Sequence, residues 1–233
     1  MIEENVQEQE EFPESKPAEK ECFTDRVLTR EVTLKGITFQ MVDILFTACL
    51  FILAFLIRWK LMPIESADYF GFLEPWMEAI RTNGGWRSLS MEISNYTSPY
   101  MYIMTLLSYI STNDLYALKL VSVAFDYFAA IAVLRILYHM TGNLRKSILG
   151  MAVLLLSPTV IIDSAYWCQC DIIYTSFLLY SYLYFLEDDG EKSAIFFGLS
   201  FMFKLQSVFL LPFFVIMWLK KRTIRLEYYL WVP

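Results

Sequence analysis

Residues 37–57, ITFQMVDILFTACLFILAFLI, decide the class of fold. As a helix these 21 residues rise about 31 Å, enough to cross the hydrocarbon core of a bilayer. Three more apolar runs follow, at residues 115–137, 147–162 and 172–186. A fifth, 193–219, is 27 residues long and carries Lys204 and Gln206 near its middle. One tilted helix would put Lys204 at the bilayer centre, whereas two short helices turning at Lys204 would put it near a surface. Hydrophobic residues make up 57% of the chain and the mean hydropathy is +0.43, well above a water-soluble domain. The expectation is an all-α polytopic transmembrane bundle of about six spans or half-spans.

The net charge of −6 belongs to a tail. Residues 1–25 hold nine carboxylates against Lys16 and Lys20, so the rest of the chain is close to neutral. With Pro13, Pro17 and few apolar residues, residues 1–35 read as an acidic, disordered cytoplasmic tail. A signal peptide would begin basic and turn apolar, so this is not one. No basic stripe supports nucleic-acid binding. Four scattered cysteines do not make a disulfide framework, and Cys168-x-Cys170 without histidine partners is a weak metal signal.

Orientation follows from Lys and Arg. With the N-terminus inside and 193–219 broken in two, Arg26, Arg30, Lys35, Arg145, Lys146, Lys192, Lys220, Lys221, Arg222 and Arg225 all lie on the cytoplasmic side. The segment 58–114 then lies outside, where Arg58 and Lys60 are exceptions to the bias. Within it, Phe72, Leu73, Trp76, Met77 and Ile80 recur at helical spacing, which reads as a helix on the membrane surface ended by Asn83-Gly84-Gly85. Residues 99–110 are apolar and aromatic but too short to cross, which reads as a second interfacial helix. Residues 226–233 resemble the start of a further span. Asn95-Tyr96-Thr97 is a formal glycosylation sequon.

This topology gathers Asp68, Asp163, Asp171, Lys204, Gln206 and Lys119 at the outer mouth of the bundle. Each has a structural reading beside a functional one. Ser66 or Asp68 could cap the following helix, or Asp68 could serve as a base taking a proton from a hydroxyl. Asp171 opens a span and is suited to capping; Trp167 fits an aromatic belt, and Gln169 adds a neutral amide. Asp126 sits inside a span at a cost of a few kcal/mol, with Lys119 two turns away, and an interhelical ion pair is its structural reading. Lys204 either snorkels or meets a phosphate. The only histidine, His139, falls at the inner end of a span, so histidine-based catalysis is not expected. Nucleotide-binding and hydrolase motifs are absent from the sequence.

Together, SADYFGFLEPW (66–76), NYTSPYMYIMTLLSYI (95–110), KLVSVAFDYFAAIAV (119–133), SPTVIIDSAYWCQCDIIYTSFLL (157–179) and GLSFMFKLQSVFLLP (198–212) resemble the GT-C glycosyltransferases. The likeness is to bacterial proteins similar to the GPI mannosyltransferases and the protein O-mannosyltransferases. It implies a transmembrane GT-C domain over residues 36–233 and an enzyme that moves a hexose, such as mannose, at the outer face with inversion. The donor would be a polyprenyl-phosphate sugar, the partners membrane lipids and an acceptor that the likeness does not name. Asp68 would be the catalytic base. Asp171, Gln169, Lys204, Gln206, Trp167, Asp126 and Lys119 would be substrate-binding. Metal dependence stays open, since a lone Asp68 without acidic neighbours is a poor metal site. Two departures stand out. The family has more spans and a C-terminal region, which implies a C-terminally short chain, and Cys168 stands where relatives carry Gly. A transporter using Asp126, Lys119 and Lys204 as a polar path, and a non-catalytic membrane partner, are the competing readings.

Overall fold

The computed structural model describes residues 30–34, 37–110 and 112–221; residues 1–29 of the acidic tail and the expected further span at 226–233 fall outside them, while Glu31–Leu34, expected as disordered tail, form a strand. The class is all-α, with one small exception. Residues 37–40, expected to begin the first span, form instead the second strand of an antiparallel hairpin, β1 (Glu31–Leu34) and β2 (Ile37–Gln40), with Glu31 opposite Gln40. The chain divides into two units, residues 1–45 and 46–233, and the hairpin belongs to the first.

Helix α1 (Met41–Leu61) follows, displaced from the apolar run toward its C-terminus so that Arg58 falls within the helix. After α1 the chain makes a π-helical turn at Tyr69–Leu73 and continues into α2 (Glu74–Thr82). The spacing anticipated this amphipathic helix, but its apolar face is used within the protein. Trp76, Met77 and Ile80 are buried in one core cluster with Tyr100, Met104 and Leu118. A 3₁₀ turn at Gly85–Ser90 leads to α3 (Ser98–Ile110).

Helix α4 (Asp114–Thr141) is the longest, at 28 residues and about 42 Å. Asn113 caps its start by accepting from the Tyr116 N–H (3.1 Å), and Gly142 ends it in the left-handed conformation (φ 61°). One residue later Asn143 caps α5 (Leu144–Leu156) through the Lys146 N–H (3.0 Å), so α4 and α5 fold back as neighbours. They cross tightly: a Cβ at Gly150 would lie 2.0 Å from Leu137 Cδ1. Pro158 removes a backbone donor and Ser157 before it is extended (φ −60°, ψ 124°), which bends the run by 48° into α6 (Pro158–Ile161) and a π-turn, Ile162–Tyr166.

Helix α7 (Asp171–Leu186) packs on α4 through aromatic rings, with Phe128 and Tyr180 stacked at 4.2 Å. It packs on α8 (Gly190–Phe203) through serines: Ser181 and Ser193 exchange hydroxyl-to-carbonyl hydrogen bonds at 2.8 Å. Small hydroxyl residues allow such close backbone approach in apolar bundles. The 193–219 run is broken where the sequence allowed a break. Lys204 is extended, a 3₁₀ turn covers Leu205–Leu210, and α9 (Leu211–Lys221) brings Phe214 back against Phe197 and Phe185.

The number of spans is smaller than expected. Among the described residues, α1 and α4 are long and apolar enough to cross a membrane, and the bent α5–α6 run makes a third if counted as one span. Helices α7 and α8, with 16 and 14 residues, rise only about 24 and 21 Å, short of a hydrocarbon core.

Candidate functional site

The turn between α6 and α7 is where the distant segments meet. Cys168 adopts φ 63°, a left-handed conformation that ordinary L-residues avoid, and its side chain is buried. That conformation aims the next residue, Gln169, across the bundle mouth. The Gln169 backbone is fixed at both ends: its N–H donates to Asp163 O (3.0 Å) and its carbonyl accepts from Ser122 Oγ of α4 (2.8 Å).

Ser66 brings the first loop to this turn. Its hydroxyl donates to Trp167 O (2.8 Å) and accepts from the Tyr69 N–H (3.1 Å). Ser66 therefore does the capping, and Asp68 makes no side-chain capping bond. Instead the Asp68 carboxylate accepts from Gln169 Nε2 at 2.6 Å, while Gln169 Oε1 accepts from the Tyr96 hydroxyl at 3.2 Å. The Tyr96 ring is edge-on to Trp76 (5.4 Å) and tilted on Tyr100 (5.2 Å). Burial, reinforced by Cys170, Asp171 and Asp68, pushes the Tyr96 phenol well above its ordinary value, so it remains a donor at neutral pH. Burial also pushes the Cys168 and Cys170 thiols up to about 12, so both stay protonated.

On the other side of Tyr96, Lys204 sits in the break between α8 and the 3₁₀ turn. Its ammonium pairs with the Asp171 carboxylate at the start of α7 and lies 5.7 Å from the Tyr174 ring centroid. Asp171 is thus engaged by a cation and has no backbone capping bond in evidence at α7. Thr97 Oγ1 donates to Phe203 O (2.7 Å), tying the sequon segment to the break.

Two cavities open here and share a wall. One, of about 210 Å³, is lined by Asp68, Phe72, Leu73, Trp76, Asn95, Tyr96 and Gln169. The other, of about 290 Å³, is lined by Asn95, Tyr96, Thr97, Phe203, Lys204, Leu205 and Gln206. Asn95 and Tyr96 separate a carboxylate compartment from an ammonium compartment. A third cavity of about 630 Å³, which the sequence did not indicate, is walled by Glu65, Glu74, Glu78, Arg81 and Asp114.

The structure thus gathers Asp68, Gln169, Asp171, Lys204 and Gln206, and it sets three expected residues apart. Trp167 contributes its backbone carbonyl while its side chain is half exposed and lines neither cavity. Lys119 is fully buried, and its ammonium donates to the carbonyls of Leu61 (3.3 Å), Met62 (3.3 Å) and Ile64 (2.5 Å), closing the C-terminus of α1. Asp126 is fully buried against Arg58 of α1 (2.7 Å) and accepts from Ser164 Oγ (2.6 Å). Both were expected at the substrate; their hydrogen bonds occupy them in joining helices instead, and neither lines a cavity of the pair. Arg58, an exception to the charge bias in the sequence, is explained by this partner. Ser66 was one of two expected caps and is the one that caps, whereas Tyr96 carried no sequence signal beyond its place in the sequon and in a quoted segment. Among the described residues, no three His, Cys, Asp or Glu side chains come together as a metal site.

No family model, no curated protein and no solved structure matches this chain.

Proposed function

We propose that this chain is an integral-membrane glycosyltransferase of the GT-C kind, with residues 36–233 as its transmembrane domain. It moves a hexose from a polyprenyl-phosphate donor to an acceptor hydroxyl at the outer face, with inversion. The observation that carries the reading is the divided cavity, with the Asp68 carboxylate on one side of Asn95 and Tyr96 and the Lys204 ammonium on the other. Inverting transfer needs those two groups apart. The acceptor oxygen attacks C1 on one face and gives its proton to Asp68. On the opposite face the bond from C1 to the phosphate oxygen breaks, and its electron pair leaves on polyprenyl phosphate. Lys204 stabilises the charge that develops there, and Gln206 adds an amide donor. The sugar passes through an oxocarbenium-like state that a nearby carboxylate tolerates. A lipid-borne donor reaches such a rim sideways through the bilayer.

The transporter reading required Asp126, Lys119 and Lys204 to form a polar path. Lys119 spends its donors on three carbonyls and Asp126 is paired with Arg58, which leaves that path without its first two members.

The test is sugar transfer from polyprenyl-phosphate [¹⁴C]mannose and the corresponding glucose and galactose lipids, in membranes holding the whole chain. Asp68→Ala is expected to abolish transfer at normal protein levels. Unchanged transfer, or none from the unaltered chain with any of the three lipids, overturns the proposal. The orientation has its own check: Trp167→Cys should react with an impermeant thiol reagent added from outside, and reaction only from the cytosolic side reverses it.

A further inference from the structure

We infer that Gln169 and Tyr96 form a positioning relay for the Asp68 carboxylate. The inference rests on the proposed base role of Asp68 and assigns to Gln169 a function different from the one its sequence context implied.

The direction of the relay is fixed by chemistry. An ionised carboxylate only accepts hydrogen bonds, so the group 2.6 Å from Asp68 Oδ2 must be the amide NH₂ of Gln169. That leaves Oε1 facing Tyr96, which must donate, and burial keeps the phenol protonated. One orientation of the amide satisfies both ends, and the reverse orientation sets the amide oxygen against the Asp68 carboxylate.

Every other degree of freedom of Gln169 is also restrained. Its N–H and carbonyl are bonded to Asp163 and Ser122, and the left-handed Cys168 sets the angle at which it leaves the turn. Tyr96 is held by ring contacts to Trp76 and Tyr100. One N–H and one lone pair of the amide are directed at protein partners on opposite sides, which fixes its orientation. What it controls is which Asp68 oxygen remains free. Oδ2 is occupied by the amide, and among the described residues Oδ1 has no hydrogen-bond partner, so Oδ1 is the atom presented to an acceptor hydroxyl. The titratable groups near the relay are Asp163, Asp171 and Lys204, together with the protonated Cys170 thiol, which shares a hydrogen bond with the Tyr96 hydroxyl. Lys204 is engaged by Asp171 and does not take the place of the amide.

The experiment compares kcat and KM for the polyprenyl-phosphate sugar in the unaltered chain, Gln169→Leu, Tyr96→Phe and Asp68→Ala. A positioning role predicts that Gln169→Leu lowers kcat by about 10- to 100-fold with KM within about twofold. Tyr96→Phe keeps the ring contacts and removes only the hydroxyl, so it guards against misfolding; it should lower kcat in the same sense by about threefold to tenfold. A rise in KM with kcat unchanged, or a kcat equal to that of the unaltered chain, overturns the relay while leaving the base role of Asp68 intact. Full activity of Asp68→Ala overturns both.

Discussion

Two of the carboxylate–cation pairs in this molecule, Arg58 with Asp126 and Lys204 with Asp171, differ in what surrounds them. Arg58 and Asp126 are both fully buried, and Ser164 and the Ala54 carbonyl add hydrogen bonds to them. Lys204 and Asp171 keep 25% and 40% of their side chains exposed beside a cavity. The first pair cannot meet a ligand without unpacking α1 from α4. The second can exchange partners with whatever enters the cavity. Similar charges therefore mean attachment in one place and availability in the other, and burial is the property that separates them.

The largest expected effect tests the attached pair. Arg58→Ala leaves Asp126 buried and unpaired, which costs about 3–5 kcal/mol. It should appear as a large drop in thermal midpoint in detergent, together with weak accumulation in membranes. Replacing both residues, Arg58→Met with Asp126→Leu, should recover most of the loss, because the penalty is an uncompensated charge and not a missing attraction. If the double variant is as unstable as the single one, the pair does more than join helices.

Lys119 comes next. Lys119→Met removes the donor to three carbonyls at the end of α1 and should cost about 1–3 kcal/mol. Sugar transfer per folded molecule should be unchanged, which separates this buried cation from Lys204.

The turn at Cys168 tests the available region through its backbone. A left-handed conformation costs an ordinary residue about 1–2 kcal/mol, and more for a β-branched one. Cys168 already carries that cost, so Cys168→Val should destabilise by the further penalty of β-branching, on the order of 1 kcal/mol. Cys168→Gly should fall within about 1 kcal/mol of the unaltered chain, since relief of backbone strain offsets the lost buried thiol. Thermal midpoints of the two variants side by side decide it, and equal losses in both would mean that the conformation carries no strain.

Much of this was legible in the sequence, for reasons that differ by region. Runs of apolar residues with Asn113, Gly142 and Asn143 between them mark α4 and α5 closely, because caps and helix-ending glycines act locally. The break at Lys204 was legible as one of two alternatives, because a lone cation within 27 apolar residues resists burial. What the sequence hid was pairing. Arg58 and Asp126 are 68 positions apart, and Tyr96 and Gln169 are 73 apart. Nothing in the spacing of either pair marks its members as partners. The shift of α1 by four residues has the same origin: hydropathy ends the run at Ile57, but Asp126 draws Arg58 into the helix and Lys119 closes it beyond Leu61. Lys119 and Asp126 were expected at the substrate because an ionisable group in an apolar helix signals function only until its partner is known. The short hairpin at 31–40 went unread because Ile37 and Phe39 run without a break into the apolar helix that follows.

The smallest stability effect belongs to the available pair and sharpens the contrast most. Lys204→Met should cost less than about 1 kcal/mol, because an ion pair this exposed gains little beyond its solvation and ordering penalties. The apolar stem of Met keeps the contact with the Tyr174 ring. Yet the same change should remove most sugar transfer, since the ammonium is the cation nearest the cavity that would hold the donor phosphate. Thermal midpoint and transfer rate measured on one preparation give the ratio. An intact fold with lost transfer is the signature of a charge kept for a ligand. If Lys204→Met instead unfolds the protein as Arg58→Ala should, exposure does not distinguish the two pairs, and the reading of the cavity as a donor site loses its physical basis.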